Sequence, residues 1–167
     1  MSPSPADRVE QALEALRTAN TLPRLLSTTC RELVAVVDGE ASAISRVVGD
    51  VLIQVAEKTL DDRTLALGHG FLIPDFPLTK TVLDEGVPHV VSVLDADAEP
   101  NEAELLRQLG LDSLLMLPLV CEGQCWGLAE IYVNDRRFTD EDIAAAQPLA
   151  EAFGDLLAAL PAPTSAR

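Results

Sequence analysis

Residues 110–143, GLDSLLMLPLVCEGQCWGLAEIYVNDRRFTDEDI, contain two apolar runs, a turn and a helix start in one continuous stretch. The runs SLLMLPLV and WGLAEIYV stand on either side of Glu122-Gly123, which is typical of a β-hairpin with a two-residue turn. A helix is predicted to follow, because Thr139 can cap it and Asp142, three residues later, can complete a capping box. The stretch therefore predicts a strand, a tight turn, a strand and a long helix in succession.

The N-terminal part of the chain shows the same alternation of helix and hairpin. The segment from Ser4 to Asp7 predicts a capped first helix, and apolar residues spaced by three and four predict a second helix from Leu22, ended by Gly39. Gly49-Asp50 is a turn signal, so the flanking segments 41–48 and 51–57 are predicted to pair as a first hairpin.

The middle of the chain is less regular. Residues 58–76, which include GHGFLIPDFP, are predicted to be a loop with one short strand. A short helix (LTKTVLDEG), a strand (PHVVSV) and a further helix (EPNEAELLRQLG) follow. Antiparallel hairpins with helices between and around them indicate an α+β fold, here a central antiparallel β-sheet of five or six strands flanked by helices.

Composition restricts the functions that this fold can have. With 167 residues one domain is expected, divided into an N-terminal helix (1–20), the domain proper (21–160) and a disordered tail (161–167). A net charge of −15 without a basic stripe argues against binding to nucleic acid or to anionic membranes. The apolar runs are too short for a membrane span, no secretory pattern is visible, and three cysteines favour reduced thiols, so a cytoplasmic protein is expected.

The stretch 110–143 resembles the GAF domains, small sensory modules of phosphodiesterases, phytochromes and bacterial signalling proteins. It shares with them Pro-Leu before the turn, Gly-Leu after it, and Phe-Thr-Asp-Glu-Asp at the start of the last helix. The segment TVLDEGVPHVVSV is similar to the family's central helix and the strand after it, and the likeness extends over residues 22–157. The resemblance implies a GAF-like (PAS/profilin-like) sandwich with packed terminal helices. It also implies a stand-alone, non-catalytic sensory or regulatory module for a small molecule or a signalling protein.

The resemblance further implies a ligand pocket between the sheet and the irregular segment with the short helix. The apolar members of the predicted lining could equally be ordinary core residues. Neither the ligand nor a cofactor is identified by the sequence. The residues predicted to line the pocket are Phe71, Ile73, Phe76, Thr79, Val82, Ser92, Ser113 and Met116.

Cys121 and Cys125 are the pair of residues that could carry chemistry. A two-residue turn pairs Val120 with Cys125, which points the two thiols to opposite faces of the hairpin; only a three-residue loop, 122–124, would set them opposite each other. Neither a disulfide, a metal site nor a catalytic pair is therefore predicted. The alternative is a thiol enzyme similar to the GAF proteins that reduce free methionine sulfoxide. Those proteins need a cysteine in the segment before the second hairpin, where NEAELLRQLGLDS has none.

Two cofactor classes of GAF proteins can be compared with the sequence. The members that attach a bilin do so through a cysteine near the central helix, and PDFPLTKTVLDEG has none. The members that bind haem use a histidine, for which His69 and His89 are the candidates, although a histidine in a loop or at a strand end is more often a surface residue. The acidic segment LDADAEPNEAE is interpreted as a solvated loop and helix entry, and no metal site is predicted.

Cyclic-nucleotide-binding GAF domains carry a motif of Asn, Lys, Phe, Asp and Glu, which this chain matches only in part. Asp135 stands where the lysine belongs and Ile143 where the glutamate belongs, so the lysine–aspartate pair is broken unless an arginine at 136 or 137 substitutes. The matching residues also have structural roles in helix capping and packing. The matches are Asn134, Phe138 and Asp142.

Assembly is predicted from the two terminal helices. The first helix has an apolar stripe, Val9, Leu13 and Leu16, that is expected to be too narrow for full burial in a core. The last helix carries Phe153 and the leucines after it. Because terminal helices of GAF proteins commonly pair between subunits, a two-fold homodimer through these helices is expected.

Overall fold

The computed structural model describes residues 2–161 of the chain, and in that range five α-helices surround one six-stranded sheet. All neighbouring strands are antiparallel and their order is β3-β2-β1-β6-β5-β4. The predicted α+β architecture is confirmed. The elements are α1 (Pro5–Arg17), α2 (Leu22–Val37), β1 (Ala41–Val48), β2 (Val51–Thr59), β3 (Gly70–Leu72), a 3₁₀ turn (Ile73–Asp75), α3 (Pro77–Glu85), β4 (His89–Ser92), α4 (Pro100–Leu109), β5 (Ser113–Cys121), β6 (Gln124–Val133) and α5 (Asp140–Ala159).

The local signals place the elements where they were predicted. Both capping boxes form, and at the start of α5 the Thr139 amide donates to the Asp142 carboxylate at 2.8 Å. The two hairpin turns place Gly49 and Gly123 in the left-handed region, at φ of 60° and 78°. Residues that are close together in the sequence therefore determine the turns of the sheet's two main hairpins.

One local prediction is wrong, because α2 does not end on its glycine. Asp38, not Gly39, takes the left-handed conformation at the helix end, with φ of 51°. Gly39 has a different role, since a Cβ added to it would lie 3.3 Å from both the Ile131 side chain and the Tyr132 carbonyl oxygen. The glycine therefore lets the end of α2 pass closely over β6.

The sheet has a core on each face, and β6 contributes to both. Helices α1, α2 and α5 cover one face, whereas α3 and α4 cover the other. Successive residues of a strand point to opposite faces, so β6 alternates between the two cores. Ala129, Ile131 and Val133 belong to the first core, and Leu128 and Tyr132 belong to the second, with Glu130 between them.

The terminal helices pack on each other within one chain. Ala12 and Leu16 of α1 are fully buried, as is Phe153 of α5, and all three belong to the same core. The expectation that the α1 stripe is too narrow for full burial is therefore wrong at Leu16. The reason is that α1 lies against both α2 and α5, so that two helices cover its apolar side.

Residues 162–167 of the predicted disordered tail lie outside the described residues. Within residues 2–161, the helices lack the combination of length and apolarity that a membrane crossing requires.

Helix α5 lies directly on the end of β5 at Gly154. A Cβ built on this glycine would lie 1.9 Å from the Val120 carbonyl oxygen and 3.0 Å from its carbonyl carbon. Backbone atoms cannot move aside as a flexible side chain can. Gly154 is therefore required for the contact between helix and sheet.

We expect Gly154→Ala to lower the free energy of unfolding by about 1–3 kcal/mol through overpacking. Helix propensity alone predicts the opposite, a gain of about 1 kcal/mol, so the sign of the change is decisive. Urea denaturation measures it. The matched control, Ala144→Gly at an exposed position of the same helix, should lose about 1 kcal/mol from propensity alone. A Gly154→Ala variant more stable than the wild type would contradict the close approach.

Candidate functional site

A cavity of about 30 Å³ lies on the second face of the sheet. Strands β1, β2 and β6 form its floor, and residues 65–76 with α3 and α4 cover it, which is where the pocket was predicted. Its walls combine apolar side chains such as Leu52 and Leu128 with polar groups. The polar lining consists of Ser45, Gln54, Thr79, Glu102, Glu130 and Tyr132.

Four of the eight predicted lining residues border this cavity. They are Phe71, Ile73, Phe76 and Thr79. The rings of Phe71 and Phe76 meet edge to face, with centroids 6.1 Å apart and planes at 80°. The irregular segment therefore contributes an aromatic wall, as its sequence GFLIPDFP suggested.

The structure places the other four predicted residues away from the cavity. Val82 and Met116 are fully buried in the core beneath it, and the Met116 sulfur lies 3.5 Å from the Thr79 hydroxyl. Ser92 and Ser113 lie at the paired ends of β4 and β5, where their hydroxyls are 2.7 Å apart. These two serines satisfy each other, so their buried hydroxyls connect strands and do not point to the cavity.

Glu102 is a lining residue that the sequence analysis missed. The interpretation of the acidic segment as solvated is wrong at this position, because only 2% of Glu102 is exposed. Its carboxyl group accepts a hydrogen bond from the Thr79 hydroxyl. A signal was present, since leucines follow Glu102 at three, four and seven positions, which places this glutamate on the apolar face of α4.

Glu130 is the second missed residue, and it lies on the central strand β6. It retains some accessible surface, and this surface faces the cavity that Glu130 lines. The Tyr132 hydroxyl donates to its carboxyl group at 3.1 Å. The signal was an ionisable residue inside WGLAEIYV, a run that is otherwise uncharged and largely apolar on both faces.

The two carboxyl groups are shifted towards their neutral forms. Burial raises the pKa of Glu130 to about 8, and the neighbouring charge of Glu102 adds to the shift. Burial likewise raises the pKa of Glu102, against the hydrogen bond from Thr79, which lowers it. In residues 2–161 neither carboxyl group has an ion pair with Lys, Arg or His. Acids with a raised pKa that line a cavity together are candidates for a functional site.

Glu57 ties the cover of the cavity to the sheet. This residue of β2 accepts hydrogen bonds from the backbone amides of Leu65 and Leu67, at 2.9 and 3.0 Å. The Gln54 side-chain nitrogen also donates to Glu57, at 3.0 Å. One carboxylate thus holds both the segment above the cavity and a polar residue of its floor.

The residues that match part of the cyclic-nucleotide motif follow the C-terminal end of β6, and they form contacts within the fold. The Arg136 guanidinium bonds Asp142 at 2.8 Å, so arginine restores the pair that Asp135 breaks, and it also donates to the Val37 carbonyl at 2.6 Å. Asn134 accepts from the Asp112 amide at 3.0 Å. None of these residues lines the cavity. The motif residues therefore connect α2, β6 and α5.

The cysteines form the predicted hairpin register. Val120 pairs with Cys125, and Cys121 pairs with Gln124. Because Cys121 follows Val120 on the same strand, the thiols of Cys121 and Cys125 point to opposite faces of the hairpin. Burial raises the pKa of both thiols, and it raises the pKa of Cys30 to about 12. A raised thiol pKa disfavours the reactive thiolate.

The two histidines also lie away from the cavity lining. His69 is exposed in the turn before β3, and His89 is half-buried at the start of β4. Among residues 2–161 there is no group of three or more His, Cys, Asp or Glu side chains that could hold a metal ion.

Comparisons with known proteins give a consistent picture. The family model described as GAF domain matches residues 21–157. No curated protein sequence matches the chain. The phycocyanobilin-bound GAF domain of a cyanobacterial phytochrome is 18% identical with a TM-score of 0.79, covering 95% of this chain and 96% of that one.

Two further solved structures have the same fold. The phycoerythrobilin-bound GAF domain of a cyanobacterial phytochrome is 20% identical with a TM-score of 0.78, over 95% of this chain and 96% of that one. The chromophore-binding domain of Stigmatella aurantiaca bacteriophytochrome is 19% identical with a TM-score of 0.79, over 93% of this chain. The match spans 60% of that longer domain.

The shifted pKa of Glu130 makes stability depend on pH. The folded state holds this proton up to about pH 8, whereas an unfolded glutamate releases it near its ordinary value of 4.5. Between these values the folded state binds more protons, so the free energy of unfolding falls as pH rises, by at most about 1.4 kcal/mol per pH unit. Glu130→Gln should remove this contribution and flatten the dependence.

Urea denaturation of wild type and variant from about pH 5 to about pH 8 tests this expectation. Glu104→Gln, an exposed position on α4, is the control and should keep the wild-type slope. Identical slopes in wild type and Glu130→Gln would show that Glu130 ionises normally in the folded protein.

Proposed function

This chain belongs to the GAF domain family, and on that premise we propose that it is a sensory or regulatory module whose small ligand occupies the cavity between the sheet and helices α3 and α4. The observation that carries the proposal is a pair of carboxyl groups, those of the buried Glu102 and the half-buried Glu130, at a cavity where the described residues offer them no cation. Their burial is unfavourable for folding alone. A ligand that satisfies them accounts for it.

The ligand is proposed to be smaller than the bilins of the phytochrome structures. Pockets for drug-sized ligands measure about 300–1,000 Å³, against about 30 Å³ here. The cavity lining also contains no cysteine to which a bilin could be attached. A compact polar ligand fits these dimensions better than a linear tetrapyrrole.

We propose binding without catalysis. The alternative, a thiol enzyme similar to the free methionine sulfoxide reductases, requires a reactive thiolate beside the ligand. All three cysteines lie outside the cavity lining and burial raises the pKa of each thiol. The free thiols and the net charge of −15 support a cytoplasmic location. A signalling protein is the proposed recipient of the ligand signal.

The bound ligand can be detected by native mass spectrometry of the protein purified from its own host. We expect the wild type to carry a small non-covalent mass that is lost on denaturation. Ser45→Leu should abolish it, because Ser45 is 1% exposed on the cavity floor and a larger side chain fills the space. Val48→Leu, at the exposed end of the same strand, should retain it. A wild type without added mass, or a mass unchanged in Ser45→Leu, would contradict the proposed site.

We also propose a homodimer through the terminal helices, on a narrower surface than the sequence suggested. Leu16 belongs to the intrachain core, but Val9, Leu13 and Leu160 are only half-buried along α1 and the end of α5. Half-buried leucines on adjacent helices form a stripe that a second copy can cover by a two-fold contact.

Sedimentation velocity tests the dimer. The wild type should sediment as a dimer, and Leu13→Glu should sediment as a folded monomer because it places a charge in the contact. Gln11→Glu adds the same charge at an exposed position of α1 and should remain dimeric. A monomeric wild type, or a dimeric Leu13→Glu, would end the proposal.

A further inference from the structure

Three polar side chains of the cavity lining each donate a hydrogen bond within the protein. The Thr79 hydroxyl donates to Glu102, and the Tyr132 hydroxyl donates to Glu130. The Gln54 amide must turn its nitrogen towards Glu57, because that carboxylate can only accept. These bonds determine which atoms remain for a ligand.

When both glutamates are ionised, the oxygens left over are acceptors. Side-chain donors reach only one carboxyl oxygen each of Glu102 and Glu130 and do not reach the Gln54 amide oxygen in the described residues, whereas the Thr79 backbone amide adds a hydrogen bond to Glu102. The buried side-chain atoms in residues 2–161 that lack any partner do not include these oxygens, so the oxygens border open space. The ligand that complements this arrangement is a hydrogen-bond donor.

Ser45 points independently to a ligand. Only 1% of this residue is exposed and it lines the cavity, yet its hydroxyl is not among the buried side-chain atoms of residues 2–161 that lack a partner, so the oxygen keeps contact with the cavity. A buried hydroxyl normally has a partner. This third side of the cavity thus provides another oxygen for a bound group.

Charge and size define the ligand further. Two acids with no cation partner in the described residues favour a positive ligand. One water-sized group takes about 10–15 Å³ of cavity volume, so about 30 Å³ accommodates about two such groups. A metal ion is a poor match, because residues 2–161 contain no group of three acidic, His or Cys ligands.

We propose that the cavity binds a small primary ammonium cation, of the size of methylammonium, between the carboxylates of Glu102 and Glu130. This inference rests on the proposed function, a small-ligand sensor, and specifies its ligand class. The three N–H groups of a primary ammonium match three of the oxygens that line the cavity, those of both glutamates and of Gln54. The methyl group matches the apolar wall.

Binding is linked to proton release. The titratable groups that act on Glu130 are Tyr132 on β6 and Glu102 on α4. Glu57 on β2 acts in turn on Tyr132, and Glu99, the cap of α4, acts on Glu102. The segment covering the cavity brings Arg63, which bonds the Leu109 carbonyl at 2.6 Å and forms an ion pair with Asp61. Helix α3 contributes only the hydroxyl of Thr79 at the cavity. The cation stabilises the ionised glutamate, so the Glu130 proton passes to the buffer when the cation binds.

Calorimetric titration with methylammonium chloride tests this proposal. We expect saturable binding whose affinity rises up to about tenfold per pH unit between about pH 6 and pH 8. The heat at about pH 7 should differ between buffers of different ionisation enthalpy, because a proton is released. Tetramethylammonium chloride has the same charge but no N–H group and should not bind, and sodium chloride controls for ionic strength.

Variants identify the site. Glu102→Gln and Glu130→Gln should each weaken methylammonium binding by about tenfold or more, and Glu130→Gln should also remove the buffer-dependent heat. Both keep the side-chain size and replace an acid whose burial raises its pKa with a neutral amide, so both should fold. Glu104→Gln, exposed on the same helix α4, should bind as the wild type does.

The outcomes separate this inference from the proposed function. No methylammonium binding by the wild type, equal binding of tetramethylammonium, or full binding by Glu130→Gln would each overturn the ammonium site. If native mass spectrometry then still finds a host-derived mass that Ser45→Leu removes, the sensor proposal stands with another ligand class. If that mass is absent as well, both proposals fail.

Discussion

Strand β6 contributes side chains to the cores on both faces of the sheet, and the positions of both cores and of the cavity depend on its register. Its residues Ala129, Ile131 and Val133 complete the core under α1, α2 and α5, whereas Leu128, Glu130 and Tyr132 face the cavity. A Cβ on Gly127 would lie 2.1 Å from the Ser45 carbonyl oxygen, so only glycine permits the observed approach of β1 to β6. A slip by one residue would bury Glu130 among helices and remove the cavity floor.

The features that were predictable from the sequence are those determined by neighbours along the chain. The capping boxes at Ser4 and Thr139 and the turn at Glu122-Gly123 each require only a few adjacent residues. The GAF-like order of elements followed from these local signals and the apolar periods between them. The aromatic part of the pocket wall was also predictable, because Phe71 and Phe76 lie in one short segment.

The rest depends on contacts between distant residues, which periodicity does not specify. Ser92 and Ser113 were plausible pocket residues until strand pairing brought them against each other. Glu102 lies in an acidic segment, and only the packing of α4 on the sheet buries its side chain beside Thr79. Glu130 could be recognised as unusual in its strand, but its neighbour Glu102 is 28 residues away in the sequence. Two acidic residues that are far apart in the sequence can therefore be neighbours in the fold.

The hydrogen bonds from the Leu65 and Leu67 amides to Glu57 affect how a molecule can enter the cavity. These two amides are held by one carboxylate and not by a strand, so releasing them breaks no ladder of the sheet. Entry is then a local opening with its own free energy, independent of global unfolding. In hydrogen exchange, such amides exchange earlier than those of β1 and β6, and their protection increases when the bound state is favoured. In the proposed sensor, the threshold concentration is in this way adjustable at Glu57, without altering the oxygens proposed to contact the ligand.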